Sequence, residues 1–128
     1  MGAVATAILG AFLTLSSARE GAQMPVDTLL AALETGTAPR ILDVRTTREY
    51  AAGHVPGAIH VPYHVLLLRP ADLPADKAEF VVVYCSHGPR AGMAKLQLWT
   101  LGYQNVRYLD GQMSRWRQRG LPLTGPAL

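Results

Sequence analysis

Five consecutive residues, Phe80-Val81-Val82-Val83-Tyr84, are all β-branched or aromatic, with no polar residue among them. A strand exposed on one face would alternate apolar and polar residues. An unbroken run of this kind instead suits a central parallel strand that is covered on both sides. Covering both faces calls for helices above and below the sheet, so the chain is expected to fold as a layered α/β domain. Its 128 residues suffice for one such domain and are too few for two. With 49% apolar and 16% charged residues it reads as globular rather than disordered.

The rest of the chain from Met24 onward alternates short apolar runs with helical patterns, as βαβ units do. Pro25 opens a first helix at a position that tolerates it, Leu29, Leu30 and Leu33 recur at helical spacing, and Gly36 stops it. Residues 41–44 form a short buried strand. Thr46-Thr47-Arg48-Glu49 is a capping box that starts a brief helix ending at Gly53. Residues 58–61 read as another strand, fenced by Pro56-Gly57 and Pro62, and residues 63–68 as an apolar turn or short helix stopped by Pro70. A helix over 90–101 has Met93, Leu96 and Leu101 among its apolar positions, and Gly102 ends it. A strand over 106–109 and a helix over 111–119 carrying Met113 and Trp116 complete the pattern. Trp99 and Trp116 are both expected to be packing residues.

The first residues stand apart. Residues 2–18 carry no charge, and Ser16-Ser17-Ala18 offers small side chains at the positions a signal peptidase inspects. A positive n-region is missing, and the run is shorter than a bilayer span of about 20 residues. Residues 1–22 are therefore expected to be a hydrophobic signal or anchor, with the folded domain over 23–128. A cleaved signal, an uncleaved anchor and a truncated or misassigned start all fit. Periplasmic export or membrane anchoring is favoured over a cytoplasmic location; an anchored chain would keep Arg19 on the cytoplasmic side.

The net charge of +3 comes mostly from dispersed arginines, with one denser stretch at Arg115, Arg117 and Arg119. This is compatible with an anionic substrate and lacks the dense basic face that nucleic acid requires. A single cysteine excludes an internal disulfide and a Cys-pair zinc site, leaving either a reactive thiol or a buried small hydrophobe. His60 and His64 are four apart, but Pro62 lies between them in a strand pattern, so no metal is expected. His54 is expected to be a hydrogen-bonded turn residue.

Cys85 follows the central strand and precedes a helix, in the loop Cys85-Ser86-His87-Gly88-Pro89-Arg90. Parallel α/β sheets put their ligands at such positions, beyond strand ends and facing helix N-termini. The helix start and the Arg90 guanidinium both favour a thiolate at Cys85. Gly88 permits a tight loop whose amides turn inward. Ser86, His87, Gly88 and Arg90 would each supply an N–H to this cradle, and Pro89 cannot. Four residues separate Cys85 from Arg90, one fewer than in cysteine phosphatases. The smaller ring suits a sulfur on Cys85 better than a tetrahedral phosphate, and favours a persulfide over a phosphocysteine.

The chain resembles the rhodanese family through several segments in order. They are Asp43-Val44-Arg45, Glu49-Tyr50, the run from Gly53-His54 to Val61-Pro62, the Cys85 loop, and the stretch from Leu109-Asp110-Gly111 through Trp116 to Gly120 and Pro122. The resemblance implies a rhodanese-like fold with a central, mostly parallel five-stranded sheet flanked by helices on both faces. It also implies sulfane sulfur transfer through a Cys85 persulfide, with no cofactor. Ser86, His87, Gly88, Arg90 and Arg45 would contact substrate. From the residues themselves, Asp43 and Arg45 read as a structural ion pair supporting the loop, and His87 either tunes substrate charge, donates a proton or is a solvent-facing loop side chain. The implied partners are a small anionic donor such as thiosulfate and a thiophilic acceptor: cyanide, a thiol or a protein. A monomer is expected. Two positions depart from the family pattern: Asp110 stands where a glycine is common, and Ala91 where serine is. A persulfide carrier or regulatory module acting on a protein partner is the alternative, and a phosphatase or arsenate reductase is a more distant one.

Overall fold

A computed structural model describes residues 23–125. The strands are β1 (Gln23–Met24), β2 (Arg40–Asp43), β3 (Ile59–His60), β4 (Val81–Tyr84) and β5 (Val106–Leu109). The helices are α1 (Val26–Thr35), α2 (Thr47–Ala51), α3 (Pro89–Thr100) and α4 (Gln112–Gln118). Two 3-10 turns, Leu66–Leu68 and Pro70–Asp72, lie between β3 and β4. All strand pairs are parallel, in the order β1-β5-β4-β2-β3. The α/β sheet with five parallel strands agrees with the expected architecture.

β4 lies at the centre, and its unbroken apolar run is explained by what covers it. Val81 and Val83 pack with Cys85 toward α3, against Ala91, Ala94 and Leu98. Val82 and Tyr84 face the other way, into a second core with Leu29, Met113 and Trp116. Crossovers between parallel strands are right-handed, so connections running in opposite directions along a sheet put their helices on opposite faces. Here β2 leads outward to β3 through α2, while β4 leads the other way to β5 through α3. The chain therefore parts between the neighbouring ends of β2 and β4, which opens a crevice beyond their carboxyl ends.

Local chemistry sets the element boundaries. Thr46 Oγ1 accepts the Glu49 N–H at 3.2 Å while Glu49 Oε1 accepts the Thr46 N–H at 3.2 Å, so the expected capping box starts α2. Pro25 sits one residue before α1, as the capping position rather than inside the first turn. β1 has only two residues, too few to leave a periodic trace in the sequence, and joins the sheet by pairing with β5.

One packing expectation is corrected. Trp116 is fully buried, and its indole N–H donates to the Pro122 carbonyl at 2.8 Å. Trp99, by contrast, is 68% exposed, as are large parts of Met93 and Leu96 on the same side of α3. α3 approaches the sheet through Ala91, Ala94 and Leu98, because small side chains let a helix come close. The larger apolar residues were thereby left on the outer face. Among the described residues no helix is long and apolar enough to cross a membrane. The signal or anchor expected over residues 1–22 lies outside the described residues.

The two tryptophans should separate in mutagenesis. Trp116→Ala should cost about 3–5 kcal/mol through the cavity it leaves. Trp99→Ala should stay within about 0.5 kcal/mol of the parent, as expected for a surface site. Urea unfolding of both variants checks the pair; comparable losses would contradict this packing.

Candidate active site

Asp43 and Tyr84 stand side by side at the ends of β2 and β4. Asp43 is fully buried and Arg45 is 2% exposed, so their charges must be satisfied internally. Asp43 Oδ1 accepts the Arg45 backbone N–H at 2.9 Å, and Oδ2 accepts Arg45 Nη2 at 2.7 Å. The Tyr84 hydroxyl donates to Oδ2 at 2.7 Å and accepts the Val55 N–H at 3.1 Å. Arg45 Nη2 also donates to the Gly53 carbonyl at 2.7 Å. Burial works against the Arg45 charge, but Asp43 outweighs it and raises the guanidinium above its ordinary range. Burial, and then Asp43, push the Tyr84 phenol far above its ordinary range, so it stays protonated as a donor. His54 and His60 close the surroundings: His54 Nδ1 lies 2.9 Å from the Tyr50 carbonyl, and His60 Nε2 lies 2.8 Å from the Arg45 carbonyl.

Above this network the chain turns from β4 into α3. Gly88 has φ +125° and ψ −37°, a conformation a side chain would strain, and Pro89 follows as the first residue of α3. The turn curls the loop around Cys85 Sγ, which accepts the Gly88 N–H at 3.0 Å and the Ala91 N–H at 3.3 Å. Cys85 itself is 1% exposed, at the bottom of the loop. Two amides aimed at one sulfur suit a negatively charged sulfur. Among the described residues these are the amides bonded to Sγ: Gly88 from the expected set of four, with Ala91 in addition. Ala91 contributes through its backbone, which its side chain does not reveal.

Arg90 turns toward α2. Its Nη1 and Nη2 donate to Glu49 Oε1 and Oε2 at 2.5 and 2.9 Å, and Nη2 also reaches Ser86 Oγ at 3.1 Å. Ser86 Oγ donates to Glu49 Oε2 at 2.9 Å. The Arg90 hydrogen bonds, then those of Ser86 and Thr46, hold the Glu49 carboxyl well below the usual carboxylate range in spite of burial. Glu49 in turn raises Arg90, with a smaller contribution from the nearby Cys85. Glu49 thus serves both as the cap of α2 and as the anchor of the loop arginine. Only its capping role was legible in the sequence.

The far side of the loop rests on α4. The Cys85 N–H donates to Gln112 Oε1 at 2.8 Å, the Met113 N–H to the Cys85 carbonyl at 3.0 Å, and the Ser114 N–H to the Ser86 carbonyl at 3.1 Å. Gln112 reaches this position with φ +57°, an uncommon conformation for a residue with a side chain, directly after Gly111 at φ +72°. Sequence reading missed Gln112; the one available signal was the glycine before a helix. Ser86 and His87 line a depression of about 610 Å3 with Met113, Ser114, Arg117 and Gln118. A second depression of about 380 Å3 lies on the other side of His87 and Gly88, against Tyr108 and Gly92.

The sequence-derived candidates therefore divide. Cys85, Ser86, His87, Gly88 and Arg90 share the loop, with His87 exposed at its lip. Asp43 supports the loop from below. Arg45 does not reach the mouth: it is turned inward onto Asp43 and Gly53, so the expected substrate contact is replaced by a structural one. Asp110 is compensated by Arg115 at 2.8 Å, which removes the lone negative charge that this departure suggested. Among the described residues no cluster of three His, Cys, Asp or Glu could hold a metal.

Two predictions follow from these ion pairs. Asp43→Ala would strand a buried guanidinium and should cost about 3–5 kcal/mol in urea unfolding. Glu49 has a folded-state pKa below its ordinary value, so the unfolded chain binds more protons and stability rises with pH across that interval. The contribution should be complete above pH 4.5 and decline as the pH falls below it, and Glu49→Gln should flatten this slope. Unfolding measured between pH 2 and 5 for both proteins checks the sign.

The comparisons agree with this geometry. The family model for the rhodanese-like domain matches residues 25–119. The chain is 36% identical over 86 residues to a sulfurtransferase of Allochromatium vinosum, covering 67% of this chain and 78% of that protein. It is 36% identical over 83 residues to the thiosulfate sulfurtransferase PspE of Escherichia coli, covering 65% and 80%. It spans 45% and 36% of two further, longer relatives. The crystal structure of the Alr3790 protein from Anabaena sp. superposes with a TM-score of 0.72 at 30% identity, covering 80% of this chain and 82% of that one. A Cys-centred loop at the switch point of a parallel sheet, and a match over most of the described residues, place this chain in the rhodanese-like family.

Proposed function

We propose that this protein is a sulfurtransferase that moves a sulfane sulfur from thiosulfate, or a related anionic donor, to a thiophilic acceptor through a persulfide on Cys85. The observation that carries the reading is Cys85 Sγ held by the Gly88 and Ala91 amides at the start of α3. In the first half-reaction the Cys85 thiolate attacks the outer sulfur of thiosulfate. A new S–S bond forms, the donor's S–S bond breaks, and sulfite leaves with the electron pair. In the second half-reaction a nucleophile such as cyanide or a thiolate attacks the outer sulfur of the persulfide, and the Cys85 thiolate is released.

The Gly88 and Ala91 amides supply stabilisation where the negative charge resides, at no reorganisation cost because the loop is already formed. Arg90, anchored on Glu49, adds positive charge beside the loop, and His87 at the lip meets the incoming partner. Sulfurtransferases among the relatives, including one named for thiosulfate, support the same class of chemistry.

Incubation with thiosulfate should add one sulfur atom to Cys85, read by intact-mass measurement. Cys85→Ser should abolish thiocyanate formation from thiosulfate and cyanide, a loss of at least about a thousandfold. Absence of any adduct with thiosulfate, mercaptopyruvate or a persulfidated protein would overturn the proposal. Cys85-dependent hydrolysis of an aryl phosphate would replace it with phosphatase chemistry.

A further inference from the structure

We infer that Arg117, with Ser114, forms the subsite for the anionic end of the sulfur donor, beside the loop rather than within it. The inference rests on the sulfurtransferase reading for its chemistry, and on separate observations for its location. Arg115, Arg117 and Arg119 form the densest basic stretch in the chain, and the fold uses them differently. Arg115 is paired with Asp110 at 2.8 Å and Arg119 with Asp27 at 2.8 Å. Arg117 has no carboxylate partner among the described residues. Its one hydrogen bond is a long 3.4 Å contact from Nη2 to the Gly53 carbonyl, an oxygen already accepting from Arg45.

The helix brings this guanidinium to the loop. Ser114, Arg117 and Gln118 recur at three- and four-residue spacing, so they share one face of α4. That face borders the depression of about 610 Å3 whose other wall is Ser86 and His87. The Ser114 N–H is bonded to the Ser86 carbonyl, which fixes the pocket directly against the residue following Cys85. A planar guanidinium with free donors beside a hydroxyl is a suitable host for a small oxyanion such as a sulfonate.

The two arginines built into the loop and its floor are already engaged. Arg45 is buried against Asp43, and Arg90 is held by both oxygens of Glu49. The depression on the opposite side of the loop has no cationic residue in its lining. Among the described residues that line the two depressions beside the loop, Arg117 is the one arginine or lysine, and it has no carboxylate partner. The volume exceeds what a small oxyanion fills, which leaves space for the acceptor beside it.

The test separates donor charge from loop chemistry. Arg117→Gln should raise the KM for thiosulfate about tenfold, the loss expected for one charge-assisted hydrogen bond, with kcat and the KM for cyanide nearly unchanged. Arg117→Lys should fall between the two. With an uncharged organic trisulfide as donor, the rate at which the Cys85 thiolate attacks the central sulfur, forming the mixed trisulfide and releasing the organic thiolate, should not change. A KM for thiosulfate within twofold of the parent, or an equal loss with the uncharged donor, would overturn the assignment. Calorimetric binding of thiosulfate to the Cys85→Ser protein, with and without Arg117→Gln, decides the matter independently of turnover. Arg117-dependent binding, if the parent protein with Cys85 intact transfers no sulfur from any donor, would sustain the subsite and overturn the sulfurtransferase reading. Binding that is absent, or indifferent to Arg117, would overturn the subsite even in an active enzyme.

Discussion

The buried carboxylate of Asp43 is the constraint around which the site is arranged. A fully desolvated charge must be met by donors from several directions, and here three groups from two segments supply them. Arg45 supplies its guanidinium and its backbone amide, and Tyr84 supplies its hydroxyl from the neighbouring strand. Through Arg45 and Tyr84 the same network holds the Gly53 carbonyl and the Val55 amide. The ends of β2 and β4 and the turn after α2 are thereby locked together one residue before Cys85. A loop that must hold a sulfur within hydrogen-bond reach of two amides needs such a rigid base.

The second theme is the allocation of positive charge. A basic protein with many arginines gives the impression of several anion sites, but several of these charges are already paired with carboxylates. Arg45 belongs to the floor of the site, Arg90 to Glu49, Arg115 to Asp110 and Arg119 to Asp27. Glu49 is central to this division, since one carboxylate caps α2 and also restrains the loop arginine. A guanidinium held at both nitrogens is a fixed source of field, whereas one left with free donors can take up a ligand. This distinction separates Arg90 from Arg117.

Much of the fold could be read in advance because its signals are local. The unbroken run at β4 reports two covered faces, the capping box reports the start of α2, and Gly88-Pro89 reports the turn into α3. The loop itself was legible for the same reason: strand, cysteine, glycine and helix follow one another within a few residues. Trp99 was misread because the face a helix presents depends on how closely it can pack, and Ala91, Ala94 and Leu98 won that contest over larger side chains.

The order of residues was thus enough to define a parallel α/β domain with a cysteine at a strand end, since periodicity, caps and turn chemistry act over short stretches of chain. The Asp43–Arg45 pair was legible in the sequence, but the partners of charges far apart in the chain emerged only in three dimensions. Glu49 and Arg90 are 41 residues apart, Cys85 and Gln112 are 27 apart, and Asp27 and Arg119 are 92 apart. No local pattern encodes such pairings, because they are settled by strand order and by which helix face meets which loop. Folding therefore decided which of the described arginines are paired with carboxylates, and brought Arg117, which has none, to the depression bordered by Ser86 and His87.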